Sequence, residues 1–336
     1  MTTTVVICAY TLERFEALTE AVASSLRQSP PPDEVLVVID HNDELRSRAS
    51  AELAGVRVLE NRYEKGLSGA RNTGVREARG DVIVFLDDDA RVEPGWLAAL
   101  LGAFADDAVA GAGGWILPDW QGRSAAWFPA TYYWIIGCSY DGLPESGAAV
   151  RNPIGASMAL RRRVFDEVGG FTSGIGRVGK VPLGCEETEL CIRYTTKHSD
   201  ERFVLVREAV AYHLVPPSRL TWSYFRARCY AEGLSKAAVS SLVGSEAGLS
   251  SERAHLTRAI PAELLATIAM VPRRPKTAAV RATLLVAGAL VAAVGLLRGR
   301  IALRRTPLRS GANVLLDEPE GGDGGEQLPS VTRPAG

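Results

Sequence analysis

Residues 82–92 read Val82-Ile83-Val84-Phe85-Leu86-Asp87-Asp88-Asp89-Ala90-Arg91-Val92. Five consecutive apolar residues, β-branched and aromatic among them, fit a strand buried on both faces. Three carboxylates leave the end of that strand together. Adjacent like charges repel and are costly unless something neutralises them. A hard divalent cation, Mg²⁺ or Mn²⁺, prefers carboxylate and phosphate oxygens and is the natural partner. A solvated acidic turn is the plain alternative reading of the same three residues.

Working upstream, the chain alternates regularly. Thr3–Ala9 is a continuous apolar run that reads as a buried strand, and Phe15, Leu18, Val22 and Leu26 then recur at helical spacing. Pro30-Pro31-Pro32 stops that helix. Glu34–Ile39 is a second strand, Glu44–Leu53 a helix, Val56–Glu60 a third strand and Leu67–Ala78 a helix closed by Gly80. Downstream, Pro94 and Gly95 open a helix through Phe104, and Val109–Ile116 reads as a further strand. Strand and helix alternating in this way predict an α/β fold with a mostly parallel sheet flanked by helices. Ligands of such sheets bind beyond the carboxyl ends of the strands. That rule selects the loops Tyr10–Arg14, Asp40–Asp43 and Asp87–Arg91.

The 336 residues carry 46% hydrophobic, 23% charged and 7% aromatic side chains, with a net charge of −1. This is ordinary globular composition, with no basic excess to argue for nucleic acid. The five cysteines include no Cys-x-x-Cys pair, and Cys185 and Cys191 have no matching second pair, so a zinc site is poorly supported and reduced thiols are expected.

Other candidates stand along the chain. Gly66-Leu67-Ser68-Gly69-Ala70-Arg71 puts small residues and an arginine at a helix start, which suits a diphosphate. Asp40 can accept from a base or ribose, or serve as a turn residue. Glu186-Glu187-Thr188-Glu189 is a second acidic cluster that offers a general base or a plain helix start. His213 ends the run Ala209–Tyr212 and is a possible metal ligand or a structural histidine. Residues 117–220 otherwise read as irregular, and Thr221–Leu242 as a helix.

Taken in order, VVICAYTLER, VLVVIDHND, GLSGARNTG, VIVFLDDDA, NPIGASMALRRRVFDEVGGF and GCEETELCIR resemble the family-2 glycosyltransferases of GT-A fold over residues 3 to 235. The resemblance implies a nucleotide-sugar site of Ala9, Tyr10, Glu13, Asp40, Arg71, Asp87, Asp88, Gly155, Ala156, Ser157 and Glu186. It implies a Mg²⁺ or Mn²⁺ site of Asp87, Asp89 and His213, with Glu187 the catalytic base of a single inverting displacement. There are three departures from the common pattern: Thr11 replaces an Asn, Glu187 an Asp, and His41-Asn42-Asp43 follows Asp40 where Gly-Ser is usual. A UDP-sugar is the preferred donor.

The stretches WFPATYYWIIGC, RNPIGAS, GIGRVG and FRARCYAEGLSK look like those of actinobacterial relatives and of haloarchaeal glucosyl-dolichyl phosphate glucuronosyltransferases. That likeness implies a glycan or polyprenyl- or dolichyl-linked acceptor. Arg226 and Arg228 have the spacing of the arginines in the motif of processive members, but its Gln and Trp are absent. A sugar-phosphate nucleotidyltransferase would need a Gly-rich, Arg-containing loop where CAYTLERF stands, and a nicotinamide dehydrogenase would need Gly-x-Gly-x-x-Gly there. A non-catalytic nucleotide-sugar-binding protein at a membrane is the remaining alternative.

The chain thus divides into a catalytic domain of residues 1–235, a helical segment of residues 236–305 and a Pro/Gly/acidic tail of residues 306–336 expected to be disordered. Thr283–Leu297 is a run of fifteen residues without a charge, close to the ~20 that span a bilayer, with basic residues on both sides. Membrane association at the cytoplasmic, inner face of the cell membrane is expected.

Overall fold

The computed structural model describes residues 1–122, 125, 127–173, 175, 176, 184–249 and 255–305. The 306–336 tail and most of the GIGRVG stretch lie outside the described residues. Four strands, β1 (Thr3–Ala9), β2 (Glu34–Ile39), β3 (Arg57–Glu60) and β4 (Val82–Asp87), form a parallel half-sheet in the order β3-β2-β1-β4. Helices α1 (Phe15–Leu26), α2 (Asp43–Glu52) and α3 (Leu67–Glu77) connect them. Leu18, Val22, Val5, Val37 and Val84 bury one face; Val6, Leu36, Phe85, Ala70 and Val75 bury the other. This two-sided burial is why the strands read as continuous apolar runs.

Beyond β4 the sheet is mixed rather than mostly parallel. After β5 (Ala90–Val92) and α4 (Trp96–Gly102) comes β6 (Val109–Trp120), then β7 (Ala149–Val150), β8 (Ser157–Arg161), α5 (Arg162–Val168), α6 (Glu186–Lys197) and β9 (Arg202–Val215). β8 inserts antiparallel between β4 and β6, while β9 runs parallel to β6 and antiparallel to β5 and β7. The supposedly irregular middle therefore contains the 14-residue strand β9. Its alternation is interrupted where Val206 and Val210 pair with consecutive residues Gly114 and Trp115, a bulge at Arg207-Glu208-Ala209. Gly80 does not cap α3. Ala78 does, and a Cβ on Gly80 would come within 2.5 Å of the Thr4 amide nitrogen of β1.

The C-terminal part holds α7 (Trp222–Val243), α8 (Ile260–Met270) and α9 (Pro275–Arg305). Residue 235, the expected domain limit, falls inside the unbroken α7. α9 lies against α7 in close backbone contact: a Cβ on Gly233 would sit 2.1 Å from the Ala292 carbonyl, and one on Gly295 2.2 Å from that of Tyr230. Among the described residues, α9 is the helix long and apolar enough to cross a membrane. Its outer face exposes Val286, Leu290, Val294, Leu297 and Ile301, spaced three and four apart.

Candidate active site

Asp87 ends β4, and Asp88 and Asp89 form the turn to β5. The β5–β9 pairing sets Ala90 opposite His213, and the Leu214 amide donates to the Asp89 carbonyl at 2.8 Å. Strand register alone thus delivers His213 to a cluster distant in sequence. His213 Nε2 is 3.0 Å from Asp89 Oδ1 and 3.9 Å from Asp87 Oδ2. Ligand atoms of Asp87, Asp89 and His213 all lie within 4.8 Å of one another. Carboxylates with an imidazole suit Mn²⁺ or Mg²⁺. Asp88 Oδ2 beside them is buried and accepts no hydrogen bond, so the site has capacity for a further positive group.

Burial pushes the Asp88 carboxyl up to about 7; Arg14 opposes the shift, and Asp89 and Asp87 add to it. Burial also works against charge on Asp89, yet His213, Arg219 and Arg14 hold that carboxyl well below the usual range. The contrast separates the two neighbours: Asp89 remains an anion able to attract a cation, while Asp88 gives up its charge more readily.

Arg71, 3% exposed in α3, ties the second acidic cluster to the first. It donates to Glu186 at 2.7 Å and to the Gly155 carbonyl at 3.1 Å, and lies 3.7 Å from Asp87. The absence of a side chain on Gly155 is what admits the guanidinium, since a Cβ there would meet Arg71 Nη2 at 2.5 Å. Glu186 is thereby consumed in an ion pair. Glu187 is only partly buried and lines the same cavity as Asp87 and His213. Burial raises its carboxyl to about 8, with Glu186 adding and Arg71 opposing. A carboxyl poised near neutral pH inside a cavity has the character of a general base. The residue before the pair, Cys185, holds φ 75° at the start of α6, a left-handed conformation rare for a side chain of this kind.

The remaining candidates fall into two groups. Ala9 and Tyr10 end β1, and the Tyr10 hydroxyl accepts from Arg14 at 3.3 Å. Asp40, 5% exposed, accepts from Asn61 at 2.8 Å and from the Gly66 amide at 3.0 Å, so it positions the loop that begins α3. Asn42, not Asp40, caps α2, accepting from the Leu45 amide at 3.0 Å. Glu13 is exposed on the turn after β1. Gly155 and Ala156 line the cavity, but the Ser157 hydroxyl is fully buried and accepts from the Trp96 indole at 2.9 Å, so it props the loop from behind.

Two functional side chains escaped the sequence reading. Arg14 contacts Asp88 at 2.7 Å and Asp89 at 3.2 Å. Arg219, on the turn Pro217–Leu220 after β9, donates to Asp89 at 2.8 Å and approaches His213 at 3.3 Å. Arg14 falls within a loop the sheet rule had selected. Arg219 carries no periodic signal; only its place six residues past His213 hinted at it. The cysteines form no disulfide, and burial pushes the Cys8 and Cys229 thiols up to about 12, so neither is a nucleophile here.

The family model described as glycosyl transferase family 2 matches residues 4–169. The glucosyl-dolichyl phosphate glucuronosyltransferase of Haloferax volcanii is 34% identical over 241 residues, covering 70% of this chain and 76% of that protein. The pre-mycofactocin glycosyltransferase of Mycobacterium tuberculosis is 31% identical over 121 residues, covering 34% of this chain and 25% of that one. Among solved structures, the mannosyltransferase PcManGT from Pyrobaculum calidifontis in complex with GDP-Man and Mn²⁺ superposes with a TM-score of 0.56 at 21% identity, over 88% of this chain and 86% of that one. GalNAc-T7 with UDP, GalNAc and Mn²⁺ gives 0.50 at 18% identity, over 70% and 51%. At those identities the structural likeness speaks for the fold.

Proposed function

The chain belongs to glycosyl transferase family 2 and has the GT-A fold, and from that premise we propose that it transfers a sugar, with inversion, from a UDP-sugar to a hydroxyl of a polyprenyl-linked glycolipid at the inner face of a membrane. One observation carries the reading: Asp87 and His213, clustered with Asp89, line one cavity with Glu187, and Arg71 is buried between them. Asp87, Asp89 and His213 would hold Mg²⁺ or Mn²⁺, which when bound offsets the charge of a departing nucleoside diphosphate.

The chain's own residues do the rest. Tyr10 and Asp40 bound the base end. Arg71 supplies fixed positive charge toward a diphosphate, as a preorganised group must, and Arg219 stands beside Asp89, within reach of it. Glu187, uncommitted to Arg71, takes the acceptor proton, and Glu186 keeps Arg71 in place. Gly155 and Ala156 leave room for the donor sugar beside Arg71.

Membrane contact is supported by α9. One face is seated on α7 through Gly233 and Gly295, while the other exposes its apolar stripe. Arg273, Arg274 and Lys276 stand at its start. A helix so seated lies along an anionic interface instead of crossing it. Sedimentation with anionic vesicles, but not zwitterionic ones, is the expected result.

Calorimetric titration with UDP, GDP and dTDP, with Mn²⁺ and then EDTA, tests the donor site. Metal-dependent binding of UDP supports it. Metal-dependent binding of another nucleotide corrects the base, and binding of none overturns the reading. The anomeric configuration of the product, read by NMR, decides inversion.

A further inference from the structure

A single cavity of about 960 Å³ connects the catalytic carboxylates with the C-terminal helices. This is at the upper end of ordinary small-ligand sites, roughly 300–1,000 Å³. Its catalytic end holds Arg71, Asp87 and Glu187. From there Tyr224, Arg228, Glu232 and Lys236 follow one another at four-residue intervals along one face of α7. Ala289, Ala292, Ala293 and Leu296 of α9 make an apolar wall beside them, and Ile135 and Ile260 line it as well. The lining is therefore charged along α7 and apolar along α9.

We propose that this cavity is the acceptor site and that its occupant is a glycolipid whose sugar is carried on a lipid phosphate, with the anionic phosphate held along α7 by Arg228 and Lys236, the sugar hydroxyl toward Glu187 and the apolar chain leaving along α9. The inference rests on the glycosyltransferase reading above and adds the place and chemistry of acceptor binding.

Three observations support it. Lys236 is 6% exposed yet lines the cavity, 3.2 Å from Glu232. A buried ammonium beside a polar cavity favours an anion there. Arg151 and Arg258 add positive charge to the lining, while the Glu263 carboxylate is taken by Arg281. Second, Ala293 and Leu256 both line the cavity and are exposed, which gives its mouth an apolar side beside the exposed Asp141 and Arg258. Third, that mouth adjoins the exposed stripe of Val286, Leu290, Val294 and Leu297 on the same helix. A chain emerging there passes onto the surface expected to meet lipid, and its head group remains inside, facing Glu187.

The test is native mass spectrometry of the full chain with farnesyl phosphate, farnesol and inorganic phosphate as separate probes, with UDP–Mn²⁺ titrated in the same samples. Farnesyl phosphate should bind about ten-fold or more tightly than either fragment. Ala293→Trp, which narrows the apolar wall, and Leu256→Asp, which puts a like charge at the mouth, should each weaken farnesyl phosphate about ten-fold and leave UDP binding unchanged. Both positions are exposed, so the folds of the two variants should not suffer. Farnesol binding as tightly as farnesyl phosphate overturns the anion site. Inorganic phosphate binding as tightly overturns the lipid part, and unweakened binding by both variants overturns the route. Nucleotide binding without any binding of farnesyl phosphate rejects this inference and spares the donor reading. Absence of nucleotide binding in the unmodified chain rejects the donor reading itself.

Discussion

The Arg219 guanidinium donates to Asp89 at 2.8 Å from a turn six residues beyond His213, its neighbour in the same cluster. A cation entering between Asp89 and His213 must compete with that guanidinium. Once displaced, the same arginine is free to meet a diphosphate. Arg219→Ala should therefore bind Mn²⁺ alone more tightly than the parent chain. Binding of UDP in saturating Mn²⁺ should weaken by about ten-fold or more, the scale of a lost charge-assisted hydrogen bond. Calorimetry with Mn²⁺ first and UDP second separates the effects. If both affinities fall together, Arg219 is a structural prop of the cluster.

Glu187 gives the pH dependence. Burial and the Glu186 charge raise its carboxyl to about 8, against Arg71. A base must be ionised to act, so kcat/KM should climb with pH and level off above about 8. Glu186→Gln removes the like charge that raises Glu187 and also frees Arg71, whose charge lowers it. Both changes have the same sign, and the midpoint of the profile should move to lower pH. A midpoint that stays put or rises counts against Glu187 as the titrating group.

The same shift predicts a stability effect. A carboxyl whose folded-state pKa lies above its unfolded value is destabilising when ionised. The penalty begins as pH passes the unfolded value near 4.5, grows up to about 8 and is constant above it. Glu187→Gln should therefore abolish turnover while raising Tm at pH 9, with a smaller gain at pH 5. Thermal melts at the two pH values check this. A variant less stable at pH 9 would mean that Glu187 makes contacts that outweigh its burial.

The parallel half of the sheet was legible because β1, β2 and β4 are buried on both faces, and buried runs such as Val5-Val6-Ile7 or Val35–Ile39 need no alternation to be seen. Helices α1, α2, α4 and α7 came within about two residues at either end. In the other half, Val109–Ile116 was read as a strand and falls within β6, whereas β9 hid because its bulge breaks the alternation. At the site, Asp87, Asp89, Arg71 and Glu187 stood out by chemistry. What could not be read was which glutamate Arg71 takes, since Glu186 and Glu187 are adjacent and only the α6 geometry separates them. Ser157 misled because a serine in a loop motif does not reveal that Trp96 will claim its hydroxyl.

Gly137 sits behind the metal cluster at φ 82°, and a Cβ there would lie 2.9 Å from Cε1 of His213. Two penalties coincide. A side chain in this backbone region costs about 1–2 kcal/mol, and the ring must also move. Gly137→Ala should lower stability and weaken Mn²⁺ binding together. Gly95→Ala provides the comparison: its φ is 86°, but nothing lies within 4 Å of the added Cβ. That variant should lose stability and keep its metal affinity. Equal metal affinities in the two variants would show that His213 is not held by this contact.

The last prediction separates the two ends of the molecule. The donor end is built from residues before Leu220, whereas α9 packs on α7, adds Leu284 and Leu285 to the buried core and accepts at the Leu285 carbonyl from the Tyr132 hydroxyl at 3.1 Å. Gly295→Leu drives a side chain into the Tyr230 carbonyl, 2.2 Å from the first added atom, and must push α9 off α7. Displacing α9 removes the apolar wall but none of Asp87, Asp89, His213 or Arg71. UDP–Mn²⁺ affinity should stay within about two-fold, and transfer to a lipid-linked acceptor should fall about ten-fold or more. The parallel measurement of UDP binding and lipid-acceptor turnover is decisive. If nucleotide binding collapses as well, α9 is part of the catalytic core, and the seam between α7 and α9 is no boundary between donor and acceptor functions.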